Sequence, residues 1–136
     1  RSKERKEEAY LKLQDESGDD LLFKVSVVEM ILAKRPEEAL QMLSKHYKVT
    51  VPGLHVGRVK GRSTGVLGVY VARKHAIYVR DSDVLYEPFV LIHEFYHHLR
   101  THGTTHGTFH RGTEKHADLF ADSFIKAYLS VKGRAG

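Results

Sequence analysis

Cysteine is missing from this chain of 136 residues, and so is asparagine. Without cysteine the protein has no disulfide framework, no zinc site built from thiolates and no cysteine nucleophile. No apolar run approaches the length of a membrane span and no signal-peptide pattern is visible, so we expect a cytoplasmic protein with no membrane partner. A chain of this length makes one domain with a modest core.

Acidic residues are missing from a long central stretch. No Asp or Glu occurs between Glu38 and Asp81, although this interval holds eight lysines and arginines and the whole chain has a net charge of +5. Such a basic region can attract an acidic protein segment or a nucleic acid. Alternatively, these charges are solvated and guard strand edges. No recognised nucleic-acid motif accompanies them, so a nucleic-acid partner is not expected.

Hydrophobic periodicity predicts an α+β fold with no βαβ repeat. We expect a charged helical arm (1–18), one compact domain (19–131) and a disordered tail (132–136). The domain begins with two helices, continues with a small antiparallel sheet that has an edge hairpin, and ends with two further helices. In order, the predicted elements are helices 21–34 and 36–47, strands 49–51 and 54–59, hairpin strands 66–71 and 76–79, a helix beginning at Pro88 and a helix 114–131.

Apolar stripes predict which faces of the first two helices are buried. The first helix is expected to bury one residue in every three or four: Leu21, Val25, Val28 and Leu32. The second begins at Pro36, and its predicted core residues are Ala39, Leu40, Leu43 and Tyr47. These faces would pack against the sheet and the later helices.

The sequence Leu-Ile-His-Glu-Phe-Tyr-His-His at 91–98 contains the pattern H-E-x-x-H. On a helix, His93 and His97 lie one turn apart on one face, so two neutral imidazoles can share one zinc ion (Zn2+). Glu94 then leans over the open coordination position, where a carboxylate can take a proton from metal-bound water. Alternatively, the segment is an exposed helix with unrelated histidines.

Catalytic zinc normally takes three protein ligands. The downstream candidates for the third are His98, His102, His106, His110, Glu114, His116 and Asp118. His98 should point away from the shared face, and the metzincin pattern fails because position 103 is glycine. Glu114 and Asp118 lie one turn apart on the inward stripe of the last helix, which favours Glu114 as ligand and Asp118 as the acceptor for a ligand histidine. The other interpretation is an ordinary helix N-terminus, which favours acids.

Taken together, His93-Glu94-x-x-His97 and Glu114-x-x-Ala117-Asp118-x-Phe120-Ala121 resemble the gluzincin zinc peptidases. The pattern is most similar to the compact minigluzincins and to the ImmA/IrrE-type peptidase domain. The resemblance covers residues 92–121 and implies three zinc ligands, His93, His97 and Glu114, with Glu94 as general base. It also implies that Asp118 orients a histidine and that the hairpin supplies the edge strand along which an extended peptide lies.

The segment between the two parts of this pattern is rich in histidine, which departs from the gluzincin signature. His106 is a reserve ligand, because His106-Gly107-x-Phe109 resembles the SprT-like proteases, in which a histidine replaces the glutamate ligand. His110 is a candidate for stabilising the oxyanion or for latency, and three tyrosines are further oxyanion candidates: Tyr78, Tyr86 and Tyr96. Alternatively, the loop histidines are simply solvated.

The expected function is that of a zinc metalloendopeptidase that hydrolyses a peptide or protein substrate, with Glu94 assisting the attack of zinc-bound water. One alternative is an ImmA/IrrE-like regulatory protease, or a metal-binding domain without turnover, that acts on a DNA-bound repressor. Another is a latent zymogen in which the arm or the tail blocks the cleft, in a homodimer.

Overall fold

The computed structural model describes residues 18–57, 65–102 and 113–135. The fold is α+β, as predicted, with the elements α1 (Gly18–Leu32), α2 (Pro36–Tyr47), β1 (Gly53–Val56), β2 (Gly68–Val71), β3 (Ala76–Val79), α3 (Pro88–His102) and α4 (Thr113–Ala135). Two 3-10 helices, Ala72–Lys74 and Ser82–Tyr86, lie on either side of β3. Of the predicted arm (1–18), only Gly18 lies within the described residues. None of the described helices is long and apolar enough to cross a membrane.

The sheet has three strands in the order β1-β3-β2. β2 and β3 form the predicted antiparallel hairpin, with Val69 opposite Tyr78. β1 instead pairs with β3 in parallel, with Leu54 opposite Ile77, so the sheet is mixed and the antiparallel prediction holds for the hairpin alone. The reason is the connection: the chain leaves β1, passes to the far edge to form β2 and only then returns as β3 between them.

Helix α3 lies at the centre of the molecule. It contacts β2 and β3 on one side and α4 on another. Its residues Leu91, Ile92 and Phe95 have no exposed surface, and across the interface Phe120 and Phe124 of α4 are equally buried. Burial on several sides holds α3 in place and therefore positions the side chains of its remaining face.

The buried face of α1 agrees with the predicted one at Val25 and Val28 but not at its two ends. Two of the predicted core residues, Leu21 and Leu32, are 38% and 46% exposed. Inner positions are taken instead by three others: Lys24, Val27 and Ile31. Lys24 tolerates complete burial because its ammonium lies 3.5 Å from the Asp20 carboxylate and 5.6 Å from the ring centroid of Phe124. A buried lysine does not register in an apolar pattern, which explains the error.

The last helix extends beyond its predicted end. Residues 132–135, predicted to be disordered, continue α4 to Ala135. Lys132 Nζ lies 2.6 Å from Glu29 Oε2 and so joins the last turns of α4 to α1. Moreover, no proline interrupts the segment. In contrast, α2 has its predicted bounds, and its predicted core residues Ala39, Leu40 and Leu43 are buried.

Candidate metal centre

Helix α3 presents His93 and His97 one turn apart on one face. Their ring centroids are 5.1 Å apart, and their side chains are only 13% and 9% exposed. Glu94 belongs to the same cluster, because His93, Glu94 and His97 each offer a ligand atom within 4.8 Å of the others. This group could hold a metal ion.

The first turns of α4 bring two carboxylates to these histidines. Glu114 Oε1 lies 3.0 Å from His93 Nε2, and Glu114 Oε2 lies 2.9 Å from His97 Nε2, so one carboxylate bridges both imidazoles. One turn later, Asp118 Oδ1 lies 2.9 Å from His93 Nδ1. The packing of α4 against α3 therefore assembles the residues that the sequence analysis selected from two separate segments.

These contacts favour a cation at this position. His93 faces a carboxylate at each ring nitrogen, but a neutral imidazole donates only one hydrogen and cannot satisfy two acceptors. A metal ion bound by Nε2 removes the conflict, because Nδ1 then keeps its hydrogen and directs it towards Asp118. The Nδ1 atom is buried and makes no aligned hydrogen bond among the described residues, although Asp118 Oδ1 lies only 2.9 Å away. Two imidazoles and a carboxylate are a set of donors that could hold a metal ion.

The electrostatic surroundings of His97 also suit a metal ligand. Burial lowers the pKa of His97, while the charge of the nearby Glu114 acts in the opposite direction. A lowered pKa favours the neutral imidazole at pH 7, and this is the form that binds a metal ion. His97 is therefore ready to coordinate without first losing a proton.

The two carboxylates are exposed, although the sequence predicted that they lie on the inward stripe of the last helix. The side chains of Glu114 and Asp118 are 73% and 60% exposed, so they are not buried acids that require a partner. They lie at the N-terminal end of α4, where one side of each faces α3 and the other faces solvent. Their contacts with His93 and His97, rather than their burial, associate them with the candidate centre.

Glu94 lies beneath the beginning of β2. Its side chain is buried, with 8% of the residue exposed. Gly68 packs so closely above it that an added Cβ would lie 2.8 Å from Val90 Cγ1 and 3.5 Å from Glu94 Cγ. Because glycine has no Cβ, the strand can approach this carboxylate side chain. Sequence reasoning did not identify Gly68, although a glycine within a predicted strand is a known signal of close backbone approach.

His98 faces away from the candidate metal centre, in the predicted direction. Its Nε2 lies 2.7 Å from the carbonyl oxygen of Thr50 and its Nδ1 lies 2.7 Å from the hydroxyl of Tyr70. Since a carbonyl can only accept, Nε2 donates to Thr50 and Nδ1 accepts from Tyr70. This completely buried histidine joins α3 to β2 and to the segment before β1. Neither partner was identified from the sequence, because each lies far from His98 along the chain.

The other predicted site residues fall into two groups, three tyrosines and two histidines. The ring of Tyr78 stacks on that of His55, with their centroids 5.0 Å apart. Tyr86 contacts the ammonium of Lys34, which lies 5.6 Å from its ring centroid, and the ring of Tyr96 lies 6.4 Å from that of His97. Burial raises the pKa of Tyr96 above its usual value, so its hydroxyl stays protonated at neutral pH. The second group, His106 and His110, lies outside the described residues.

Comparison of the chain with models of known protein families, with curated proteins and with solved structures gives no significant match. The resemblance to gluzincins therefore depends on the motif residues alone. What the described residues establish is an α+β fold whose central helix carries His93, Glu94 and His97, a group that could hold a metal ion.

Proposed function

We propose that this protein is a zinc metallopeptidase in which His93, His97 and Glu114 hold the metal ion and Glu94 is the general base. The observation that carries the proposal is the single carboxylate of Glu114, 3.0 and 2.9 Å from the Nε2 atoms of the two histidines. Two imidazoles and one carboxylate are typical ligands of catalytic zinc and leave a coordination position open. When bound, zinc supplies a Lewis acid that polarises a carbonyl and lowers the pKa of water.

Glu94 is suited to move the proton. It follows a proposed ligand directly on α3, and its carboxylate belongs to the group of ligand atoms that lie within 4.8 Å of one another. A carboxylate at such a distance can take a proton from the attacking water and later deliver it to the leaving amine. Glu94 is buried, with 8% of the residue exposed, which limits the positions that its side chain can take.

The edge of β2 supports a peptide as the substrate. The backbone N–H of Arg80 donates to the carbonyl of Leu67 at 2.8 Å, which identifies these residues as a hydrogen-bonded pair of the antiparallel ladder. Such pairs alternate, so Gly68 and Tyr70 direct their own backbone N–H and C=O groups to the other side. Within the described residues no strand covers that side of β2. An extended peptide could pair there, next to Glu94.

The test is a comparison of the wild-type protein with Glu94→Gln, both loaded with zinc, against a library of peptides. We expect wild type to cleave and Glu94→Gln to be slower by a factor of about 10²–10⁴, which is typical for the loss of a general base. Zinc content should stay the same, since Glu94 is not a proposed ligand. Asp122→Asn, a change on the surface of α4, is the control and should cleave normally.

Equal cleavage by wild type and Glu94→Gln would exclude Glu94 as the base. Stoichiometric zinc with no cleavage of any peptide would instead favour a metal-binding domain without turnover.

A further inference from the structure

The chain that follows β2 is basic and exposed. Arg73 and Lys74 belong to the 3-10 helix Ala72–Lys74, which begins directly after Val71. Both side chains are exposed, and neither makes an ion pair among the described residues. The ammonium of Lys74 lies 5.8 Å from the ring centroid of Tyr78, which keeps it close to the sheet. Two cations without an ion-pair partner among the described residues therefore lie just beyond the end of β2, whose first residue, Gly68, lies beside Glu94.

We propose that the free edge of β2 selects extended peptides that carry acidic side chains, through Arg73 and Lys74. This inference rests on the proposed function of the same site and specifies its substrate class. Charge complementarity is the first argument: the whole sheet lies within the interval between Glu38 and Asp81, which contains eight Lys and Arg residues and no acid. An acidic peptide on this edge meets cations without repulsion from the strands.

The direction of β2 determines on which side of the scissile bond the acidic residues of the peptide would be preferred. Gly68 lies against Glu94, and the strand runs from there to Val71. At about 3.3 Å per residue, Val71 lies about 10 Å along the strand from Gly68. Arg73 and Lys74 follow directly in the tighter 3-10 turn that ends the strand. A peptide bound antiparallel to β2 would direct its N-terminal part towards these cations. The selected acids would then lie roughly three to five residues N-terminal to the cleaved bond.

Two other occupants of this edge are less suitable. A nucleic acid would leave the outward N–H and C=O groups of Gly68 and Tyr70 without the partners that a polypeptide backbone supplies. A second copy of this chain would bring one acid-free sheet against another, and the like charges would repel. An acidic polypeptide satisfies both the backbone groups and the charges.

Peptide binding by full-length Glu94→Gln tests the proposal without interference from cleavage. Two fluorescein-labelled peptides of about twelve residues would differ only in two glutamates replaced by glutamines. We expect the acidic peptide to bind about tenfold more tightly, as two exposed ion pairs allow, and the difference to shrink at high salt. Adding Arg73→Glu and Lys74→Glu should abolish the difference. The matched control adds Lys45→Glu and Lys126→Glu, which change the net charge equally on exposed helix positions and should retain it.

Equal binding of the two peptides, or a preference that persists after the change of Arg73 and Lys74, would overturn the proposal. So would a single-stranded oligonucleotide that binds more tightly than the acidic peptide and displaces it. Cleavage by wild type separates this proposal from the proposed function. Equally rapid cleavage of both peptides would overturn the selectivity and keep the peptidase, whereas selective binding with no cleavage of any peptide would keep the selectivity and overturn the peptidase.

Discussion

His93 lies between two carboxylates, Glu114 at Nε2 and Asp118 at Nδ1. These two acids have different tasks if a metal ion occupies the centre. Glu114 completes the ligand set, whereas Asp118 accepts the remaining ring hydrogen and thereby fixes the tautomer and the orientation of the ring. These roles predict that substitution of Glu114 lowers the affinity for a metal ion more than substitution of Asp118 does.

We expect Asp118→Asn to weaken zinc binding about 10- to 100-fold, as is usual for a partner of a ligand histidine, and Glu114→Gln to weaken it more. The measurement is a competition titration against a chromophoric zinc chelator at pH 7. Asp122→Asn is the matched control, because Asp122 lies on the same helix and pairs with Lys126 at 3.0 Å instead of with a histidine. Unchanged zinc affinity in Asp118→Asn would contradict the assigned role.

Gly68 is the residue whose lack of a side chain lets β2 approach Glu94. In Gly68→Ala the new Cβ would meet Val90 Cγ1 at 2.8 Å, so the Val90 side chain, the strand or the helix must shift. We expect a loss of about 1–3 kcal/mol in the free energy of unfolding, typical of overpacking, measured by urea denaturation. Val90→Ala removes the clashing methyl groups, so the double variant should lose less than the sum of the single losses.

Gly133→Ala provides a control for this prediction, since nothing lies within 4 Å of a Cβ at that position of α4. There we expect a gain of about 0.5–1 kcal/mol from helix propensity. If the losses in Gly68→Ala and Val90→Ala simply added in the double variant, the steric explanation would be wrong.

His98 shows how a single buried side chain fixes α3 against the sheet. Its ring accepts from Tyr70 of β2 and donates to Thr50, and both distances are 2.7 Å. Tyr70→Phe removes the donor and leaves a buried nitrogen unsatisfied, which should cost about 1–3 kcal/mol of unfolding free energy. Tyr78→Phe, on the opposite face of the sheet, is the control and should cost less. A negligible loss in Tyr70→Phe would mean that water or Thr101, 3.5 Å from the hydroxyl, replaces the donor.

The buried tyrosines of β2 and α3 should make the stability of the fold sensitive to alkali. Burial raises the pKa values of Tyr70 and Tyr96. Between the unfolded pKa of about 10 and the raised folded values, the native state binds more protons than the unfolded state. Stability should therefore be complete below about pH 10 and fall as the pH rises through this window. Urea denaturation at increasing pH checks this, and Tyr70→Phe should reduce the slope; a slope that stays unchanged would exclude a contribution from Tyr70.

At the scale of the elements, apolar spacing predicted the bounds and buried face of a helix correctly where residues within that helix determine them. The bounds and buried face of α2 follow from Pro36 and from apolar spacing, and both agree with the structure. The face of α1 and the end of α4 depend instead on contacts between distant residues. Lys24 needs Asp20 and Phe124 to be buried, and the last turns of α4 are joined to α1 by Glu29. No periodicity in either segment shows these partners.

The features of the candidate centre can also be divided into those set by local sequence and those set by packing between elements. The spacing of its residues on two helices is local, so His93, His97 and Glu114 could be selected from the sequence. The exposure of Glu114, the close approach of Gly68 and the partners of His98 depend on how α3 packs against α4 and β2. These features require the assembled fold.

At the scale of the whole molecule, the candidate centre joins two helices. His93 and His97 belong to α3, whereas Glu114 and Asp118 belong to α4, which also packs along α1. The proposed ligand set therefore comes together only in the folded protein, so a metal ion bound by all of it would stabilise the native state and not the unfolded chain. Metal binding and folding should then be coupled.

We expect zinc at about 100 times its dissociation constant to raise the free energy of unfolding by about 2.7 kcal/mol relative to chelator-treated protein. Urea denaturation with and without zinc measures this difference. Magnesium should have little effect, because it prefers an octahedral set of oxygen ligands to two imidazoles and a carboxylate. Glu114→Ala should lose most of the zinc effect, since the metal would then be held by α3 alone and would no longer connect it to α4. If zinc stabilised Glu114→Ala as much as wild type, the ion would bind without α4, and the two-helix site would be wrong.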